Sequence, residues 1–214
     1  MPSFKNACFL SYRHGQRQIK QRFITEFRDA LASELELLRD EGLYVDLGRL
    51  NGGDFYNEAL ARALYESVCM VIVYQPNYFD TKHPYCAREY RAMCALETRR
   101  LSLLGNLEDR NHSVIIPIVL RGESAIPPEI AARRQYDDFS KFMLLDEELS
   151  RHPLYAPKIK QIAEYIDARC QCFEDTEIPF DDADEFRLPD EDETKAWLRE
   201  LHLPRMKFPG AGET

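Results

Sequence analysis

The sequence lacks an apolar segment long enough to cross a membrane as a helix. Its longest apolar runs, residues 68–74 and 114–120, are far shorter than the roughly 20 residues that a bilayer span requires. The opening residues, MPSFKNACFLSYR, show no basic stretch followed by a long apolar stretch, so no secretory signal is visible. We therefore expect a cytoplasmic protein that does not insert into a membrane.

Sequence motifs of several large enzyme classes are also missing. The chain has no dinucleotide fingerprint G-x-G-x-x-G, no phosphate loop G-x-x-x-x-G-K, no nucleophile elbow G-x-S-x-G and no zinc motif H-E-x-x-H. Four of the six cysteines lie in apolar or periodic segments, where a reduced thiol behaves as a small hydrophobe. Cys170 and Cys172 have no second Cys or His pair nearby. These features argue against disulfides and against a bound metal.

Acidic residues are concentrated near the C-terminus. Residues 174–194 contain eleven acidic residues and one basic residue, a net −10, whereas the whole chain carries −9, so the remainder carries +1. A nearly neutral body argues against nucleic acid as a partner, because binding to phosphate backbones needs clustered Lys and Arg. The acidic segment is too poor in apolar groups to form a core, and we expect it to be extended.

A short helix is predicted after this segment, with Asp192 or Thr194 as its cap. In that helix Trp197, Leu198 and Leu201 form an apolar patch. A lone tryptophan in such a patch favours a buried position. We expect the patch to dock on the body of the protein, and the alternative is a partner protein.

Apolar patterns alternate between strands and helices along the chain. Apolar runs predict strands at 7–12, 43–45, 68–74 and 113–120, and a short fifth strand near Tyr136. Helical spacing predicts helices at 18–39, around 59–64, at 84–104 and at 157–169. This alternation predicts a flavodoxin-like α/β fold, in which helices cover both faces of a parallel sheet of about five strands. Pro117 favours an edge position for the fourth strand, and Asp80 or Thr81 is expected to cap the third helix.

Ligands bind such sheets at the carboxyl ends of the strands, where the strand order reverses. Arg13 follows the first strand and residues 75–78 follow the third. Asp46 and the Gly-rich loop at 47–53 are expected to form a third wall of the ligand site. We expect a nucleotide-sized cleft here, although Arg13 also fits an ordinary surface arginine.

Glu89 is the acidic residue near this cleft whose surroundings suggest a role in chemistry. In a helix it shares a face with Tyr85 and with the apolar residues of the next two turns. A carboxylate in an apolar stripe is either a desolvated functional group or a structural glutamate paired with Arg88 or Arg91. Spacing alone does not choose between these interpretations.

Four segments together resemble the Toll/interleukin receptor (TIR) domain family, particularly its stand-alone bacterial members. They are F-L-S-Y-R at 9–13, the loop and helix from Asp46 to Ser67, Y-Q-P-N-Y at 74–78, and C-x-x-E at 86–89. The sequence departs from the family pattern in having Tyr85 where tryptophan is frequent and Gln75 where serine is usual. The resemblance spans roughly residues 5–173, which implies a TIR domain at 1–173 and an acidic extension at 174–214.

The resemblance implies one of two functions, cleavage of the nicotinamide–ribose bond of NAD or signalling as a non-catalytic assembly module. A regulator that binds a nucleotide or nucleic acid is the remaining alternative. Family enzymes require the glutamate that matches Glu89, so its presence favours the enzyme. The expected site consists of catalytic Glu89, substrate-binding Arg13, Asp46, Phe55 and Tyr85, and loop residues Gly52 and Gly53. Phe55 also fits simple packing.

NAD would be the substrate, with no cofactor and no metal. Water as acceptor would give ADP-ribose, and an internal nucleophile would give a cyclic product; the sequence does not choose between them. The resemblance further implies self-association through TIR surfaces and a separate sensor or effector protein, in phage defence.

Overall fold

Five parallel strands form the centre of the computed structural model, which describes residues 4–15, 18–46, 54–121, 126–132, 134–143, 148–174, 176 and 185–201. The strands are β1 (Asn6–Tyr12), β2 (Gly42–Val45), β3 (Ser67–Tyr74), β4 (Ile115–Val119) and β5 (Asp137–Asp138). Their order in the sheet is β2-β1-β3-β4-β5, and each neighbouring pair is parallel. The predicted flavodoxin-like α/β fold is therefore confirmed.

Helices cover both faces of the sheet. They are α1 (Gln18–Glu36), α2 (Asp54–Tyr65), α3 (Tyr85–Leu103), α4 (Leu107–Arg110), α5 (Pro128–Ala131), α6 (Tyr155–Glu174) and α7 (Glu191–Glu200), with 3₁₀ turns at Ser140–Phe142 and Leu149–Arg151. Helices α1 and α6 contact each other on one face, α2 and α3 contact each other on the opposite face, and α7 packs against α3. None of the helices in the described ranges is both long and apolar enough to cross a membrane.

Strand β3 lies at the centre of the sheet, and seven of its eight residues are apolar. All eight of its residues are buried, as are the five of β4. Such continuous burial is typical of parallel strands that have helices on both sides. The side chains on the carboxyl side of these strands are therefore held by a rigid sheet, and that edge carries the candidate site.

The position of Pro117 differs from the prediction. Strand β4 is not an edge strand, because it lies between β3 and β5, and Pro117 pairs with Ile72 of β3. Strand β5 has only two residues, which pair with Ile118 and Val119. Pro117 thus has no partner residue in β5, which is how a residue without a backbone N–H is accommodated next to the edge.

The start of α3 also differs from the prediction. Pro84 is the N-cap residue, and no side chain caps the helix. Asp80 is engaged elsewhere, because its Oδ1 accepts a hydrogen bond from the backbone N–H of Lys82 at 2.9 Å. The turn that precedes α3 thus uses the carboxylate for its own closure.

The C-terminal helix is capped earlier than predicted. Asp190, rather than Asp192 or Thr194, accepts hydrogen bonds from the backbone N–H groups of Asp192 and Glu193, at 2.8 and 3.4 Å. Three acidic residues in the first turn suit the positive end of the helix dipole, so 191–194 are helical rather than extended.

The predicted docking of the apolar patch on the body is confirmed. Leu198 is buried, and the Trp197 ring contacts Phe79 and Tyr90. The division of the chain into a domain at 1–173 and an extension at 174–214 stays a prediction.

Candidate active site

A chain of hydroxyl groups leads to the Glu89 carboxylate at the carboxyl edge of the sheet. The Ser11 Oγ donates to Glu89 Oε2 at 2.5 Å and lies 2.6 Å from the Tyr78 hydroxyl. Because a serine hydroxyl has one proton, a Ser11 that donates to Glu89 must accept from Tyr78. All three side chains are buried, and Glu89 has no exposed surface.

Each member of this chain is positioned by a different element. Ser11 is the penultimate residue of β1 and lies opposite Ile72 of β3, Tyr78 follows β3, and Glu89 lies in the second turn of α3. The pair between Ser11 and Glu89 therefore holds α3 against the sheet at the point where strands β1 and β3 end. This is the edge at which the strand order reverses, as the sequence predicts for a ligand site.

Arg88 and Arg91, the arginines near Glu89 in sequence, both contact the C-terminal segment. Successive residues of a helix are about 100° apart around its axis, so Arg88 and Arg91 lie on other faces than Glu89. The Nε atom of Arg88 donates to the Pro189 carbonyl at 2.7 Å, and Nη1 of Arg91 donates to Thr194 Oγ1 at 3.2 Å. These contacts favour a role for both arginines in docking the C-terminal segment.

Arg13 lies at the end of β1, as the sequence predicts, and binds the turn before α3. Its Nη2 is 3.1 Å from Asp80 Oδ2, and its Nη1 donates to the His83 carbonyl at 3.4 Å. Only 17% of the Arg13 side chain is exposed, so it is not an ordinary solvated surface arginine. Arg13 therefore connects the β1 exit to the helix that carries Glu89.

The remaining predicted residues are distributed along the same edge. Asp46 is buried and directly follows β2, which is the neighbour of β1. Tyr85 is the first residue of α3, one turn before Glu89, and 36% of it is exposed. The backbone of Phe55 lies in the first turn of α2, and its side chain lies outside the described part of the structure, as do Gly52 and Gly53 entirely. The roles given to these residues stay predictions.

Ser11 is the site residue that sequence reasoning missed. The signal for it is a serine within the apolar run A-C-F-L-S-Y, because a hydroxyl in a buried strand needs a partner. The sequence does not reveal that this partner is Glu89, which is 78 residues away.

The six cysteines are free thiols, and the four most buried are Cys8, Cys69, Cys86 and Cys170. Burial raises the pKa of the Cys170 thiol to about 12, so this thiol is protonated at neutral pH. Among the described residues no three His, Cys, Asp or Glu side chains are grouped so that they could hold a metal ion.

The comparisons with known proteins assign the family. A family model for the TIR domain matches residues 8–152, which is more than half of the chain. The chain therefore belongs to the TIR domain family. It is also similar to a solved structure of TIR domains, those of the activated Roq1 resistosome directly recognizing the pathogen effector XopQ. That likeness has 16% identity and a TM-score of 0.39, and covers 90% of this chain and 96% of the other. No curated protein matches the sequence.

Proposed function

We propose that this protein cleaves the nicotinamide–ribose bond of NAD and that Glu89 is its catalytic carboxylate. The observation that supports this most is the hydrogen-bonded chain from Tyr78 through Ser11 to Glu89, at the sheet edge where α/β folds bind nucleotides. The resemblance of the sequence motifs to NAD-cleaving TIR proteins points to the same residue.

The proposed chemistry requires a carboxylate near the ribose. Loss of nicotinamide leaves a ribosyl cation of oxocarbenium character, which an ionised Glu89 would stabilise, as carboxylates do in glycosidases. Addition of water then gives ADP-ribose and a proton, whereas attack by a hydroxyl or an adenine nitrogen of the same molecule gives a cyclic product. In this proposal Arg13 pairs with the diphosphate, and Asp46, Phe55 and Tyr85 form the walls of the cleft.

Complete burial of Glu89 means that substrate must open the site before reaction. We propose that self-association through TIR surfaces accompanies this opening, with a contribution from the loop at 47–53. Opening and closure steps commonly limit enzymes that exclude water from the reacting groups. Specific activity should therefore rise with protein concentration.

The same burial favours a second candidate function, that of a non-catalytic assembly module. A carboxylate without exposed surface, bonded to Ser11, also serves to fix α3 against β1. In that case Glu89 would be a structural residue and the protein would act through the surfaces that it presents. The two functions differ in whether nicotinamide is released.

The test is the substitution Glu89→Gln, measured by nicotinamide release from NAD at high protein concentration. The amide nearly preserves the shape and can still accept from Ser11, so the melting temperature should hardly change while turnover is lost. Glu164→Gln is the matched control, because Glu164 is on α6 and its side chain is 57% exposed. Wild-type turnover in the Glu89 variant would refute its catalytic role, and absence of release from the unmodified protein would favour the assembly module.

We also propose a cytoplasmic role in bacterial antiphage signalling, in which a separate sensor or effector protein acts with this chain. The support for this is the resemblance to stand-alone bacterial members of the family.

A further inference from the structure

A basic cavity of about 300 Å³ lies between the end of β1 and the first turns of α1. Its cationic side chains are Arg13, Lys20 and Arg28, and His14 and Gln21 contribute further nitrogen atoms. No carboxylate lines this cavity among the described residues. Two of the three cations, Arg13 and Arg28, are paired with carboxylates that lie outside the lining.

Lys20 is the cation of this cavity for which the described part of the chain provides no bonded partner. Arg13 pairs with Asp80 at 3.1 Å, and Arg28 pairs with Asp29 at 2.6 Å. Lys20 makes no hydrogen bond and no ion pair to any residue in the described part of the chain. Burial, together with the charge of Arg13, lowers its pKa to about 8, although Cys86 acts in the opposite direction. A partly buried ammonium without an anion is costly, and an anionic ligand would remove that cost.

We infer that this cavity is a subsite for the diphosphate of the nucleotide substrate, in which Lys20 binds a phosphate oxygen and Arg13 lies beside it. The inference rests on the proposed function for the identity of the ligand. Arg13 connects the cavity to the site of Glu89, because it lines the cavity and also binds the turn that leads into α3. A diphosphate at Lys20 and Arg13 would place the attached ribose towards Glu89.

The subsite predicts how binding depends on pH. The charged and titratable groups around Lys20 are Arg13, Arg28 and His14 of the cavity, Tyr12, which stacks on His14, and Cys86 of α3. Lys20 is charged below about pH 8 and loses its charge as the pH rises through that value. Affinity for a diphosphate should therefore fall between about pH 7 and 9.

The test measures equilibrium binding of ADP-ribose and of inorganic diphosphate by calorimetry. Lys20→Met keeps the aliphatic stem and removes the charge, and we expect about a tenfold loss of affinity, as for hydrogen bonds to charged groups. Lys20→Arg keeps the charge at all these pH values, so it should retain affinity and abolish the decline towards pH 9. Lys160→Met is the control, because Lys160 lies on α6 and is 64% exposed.

These outcomes separate the subsite from the proposed function. Wild-type affinity in Lys20→Met with an unchanged melting temperature, or absence of binding to the unmodified protein, would overturn the subsite, even if nicotinamide were released. If Lys20→Met loses binding while the unmodified protein and Lys160→Met retain it, the subsite is supported. If the unmodified protein at the same time releases no nicotinamide, the proposed cleavage of NAD is refuted.

Discussion

Replacement of Trp197 by alanine tests whether the C-terminal helix is part of the folded body. The Trp197 ring is 5.6 Å from Phe79 in an edge-to-face contact and 6.1 Å from Tyr90 in a stacked one. The guanidinium of Arg91 lies 6.0 Å from the same ring. Because Tyr90 and Arg91 belong to α3, these contacts join α7 to the helix that carries Glu89.

The size of the effect follows from the area that the ring buries. A fully buried aromatic side chain removes about 150–250 Å² from water, worth about 4–6 kcal/mol at 25 cal/mol per Å². Trp197 is only partly buried, and about half of that value, 2–3 kcal/mol, is expected. For a chain of 214 residues this corresponds to a fall in melting temperature of about 4–12 °C.

The assay is thermal unfolding followed by circular dichroism, with tryptophan fluorescence of the unmodified protein beside it. Trp197 is the only tryptophan, so a blue-shifted emission reports on this contact alone. Leu107→Ala is the control, because Leu107 is 71% exposed and its truncation should leave the melting temperature unchanged. An unchanged melting temperature in Trp197→Ala, or a solvent-like emission spectrum, would refute the docking of α7 on α3.

Two further predictions concern polar contacts of α3. Ser11→Ala removes the donor to Glu89 and should lower turnover of NAD about tenfold, as hydrogen bonds to charged groups do; unchanged turnover would separate Ser11 from catalysis. Burial raises the pKa of Glu97, but its ion pair with Arg134 outweighs this and leaves the pKa below its usual value. Because the folded pKa is depressed, this pair stabilises the protein above the unfolded pKa of about 4.3 and is lost as the pH falls through the folded one. In thermal melts from pH 7 to 3, the melting temperature of Glu97→Gln should fall less than that of the unmodified protein. Parallel falls in the two proteins would contradict this.

The fold was predictable because its signals are local. The apolar run of β3 and the helical spacing in α1 each determine one element, and the alternation of elements predicts a parallel sheet with helices on both faces. The errors concern features that depend on distant residues. Pro117 favours an edge position when β4 is considered alone, because the shortness of β5 is not visible in the pattern of β4. The sequence does not distinguish Asp190 from the other candidate caps of α7, because 190–194 offer several acidic residues.

The sequence predicts the carboxylate of the candidate site, Glu89, but it does not predict which residues contact it. Glu89 stands out because it interrupts an apolar stripe at helical spacing, and the family motif supports it. Its partner Ser11 and the partner of Arg13, Asp80, come from other elements, and their pairing exists only once β1 and β3 are adjacent. Periodicity describes which face a residue occupies and carries no information about which residue lies opposite.

Glu89 and Lys20, the two charged residues near Arg13, differ in whether the described structure provides a partner for their charge. This difference predicts the order in which the parts of a substrate would bind. Glu89 already accepts from a hydroxyl group in a fully enclosed position, so its geometry needs no substrate to form. No anion among the described residues pairs with Lys20, so a bound anionic ligand would compensate its charge. A diphosphate would therefore gain free energy at Lys20 before the ribose reaches Glu89, and that binding energy is available to open the covered carboxylate. On this reasoning Lys20→Met should weaken substrate binding and slow the opening, whereas Glu89→Gln should affect only the bond-breaking step.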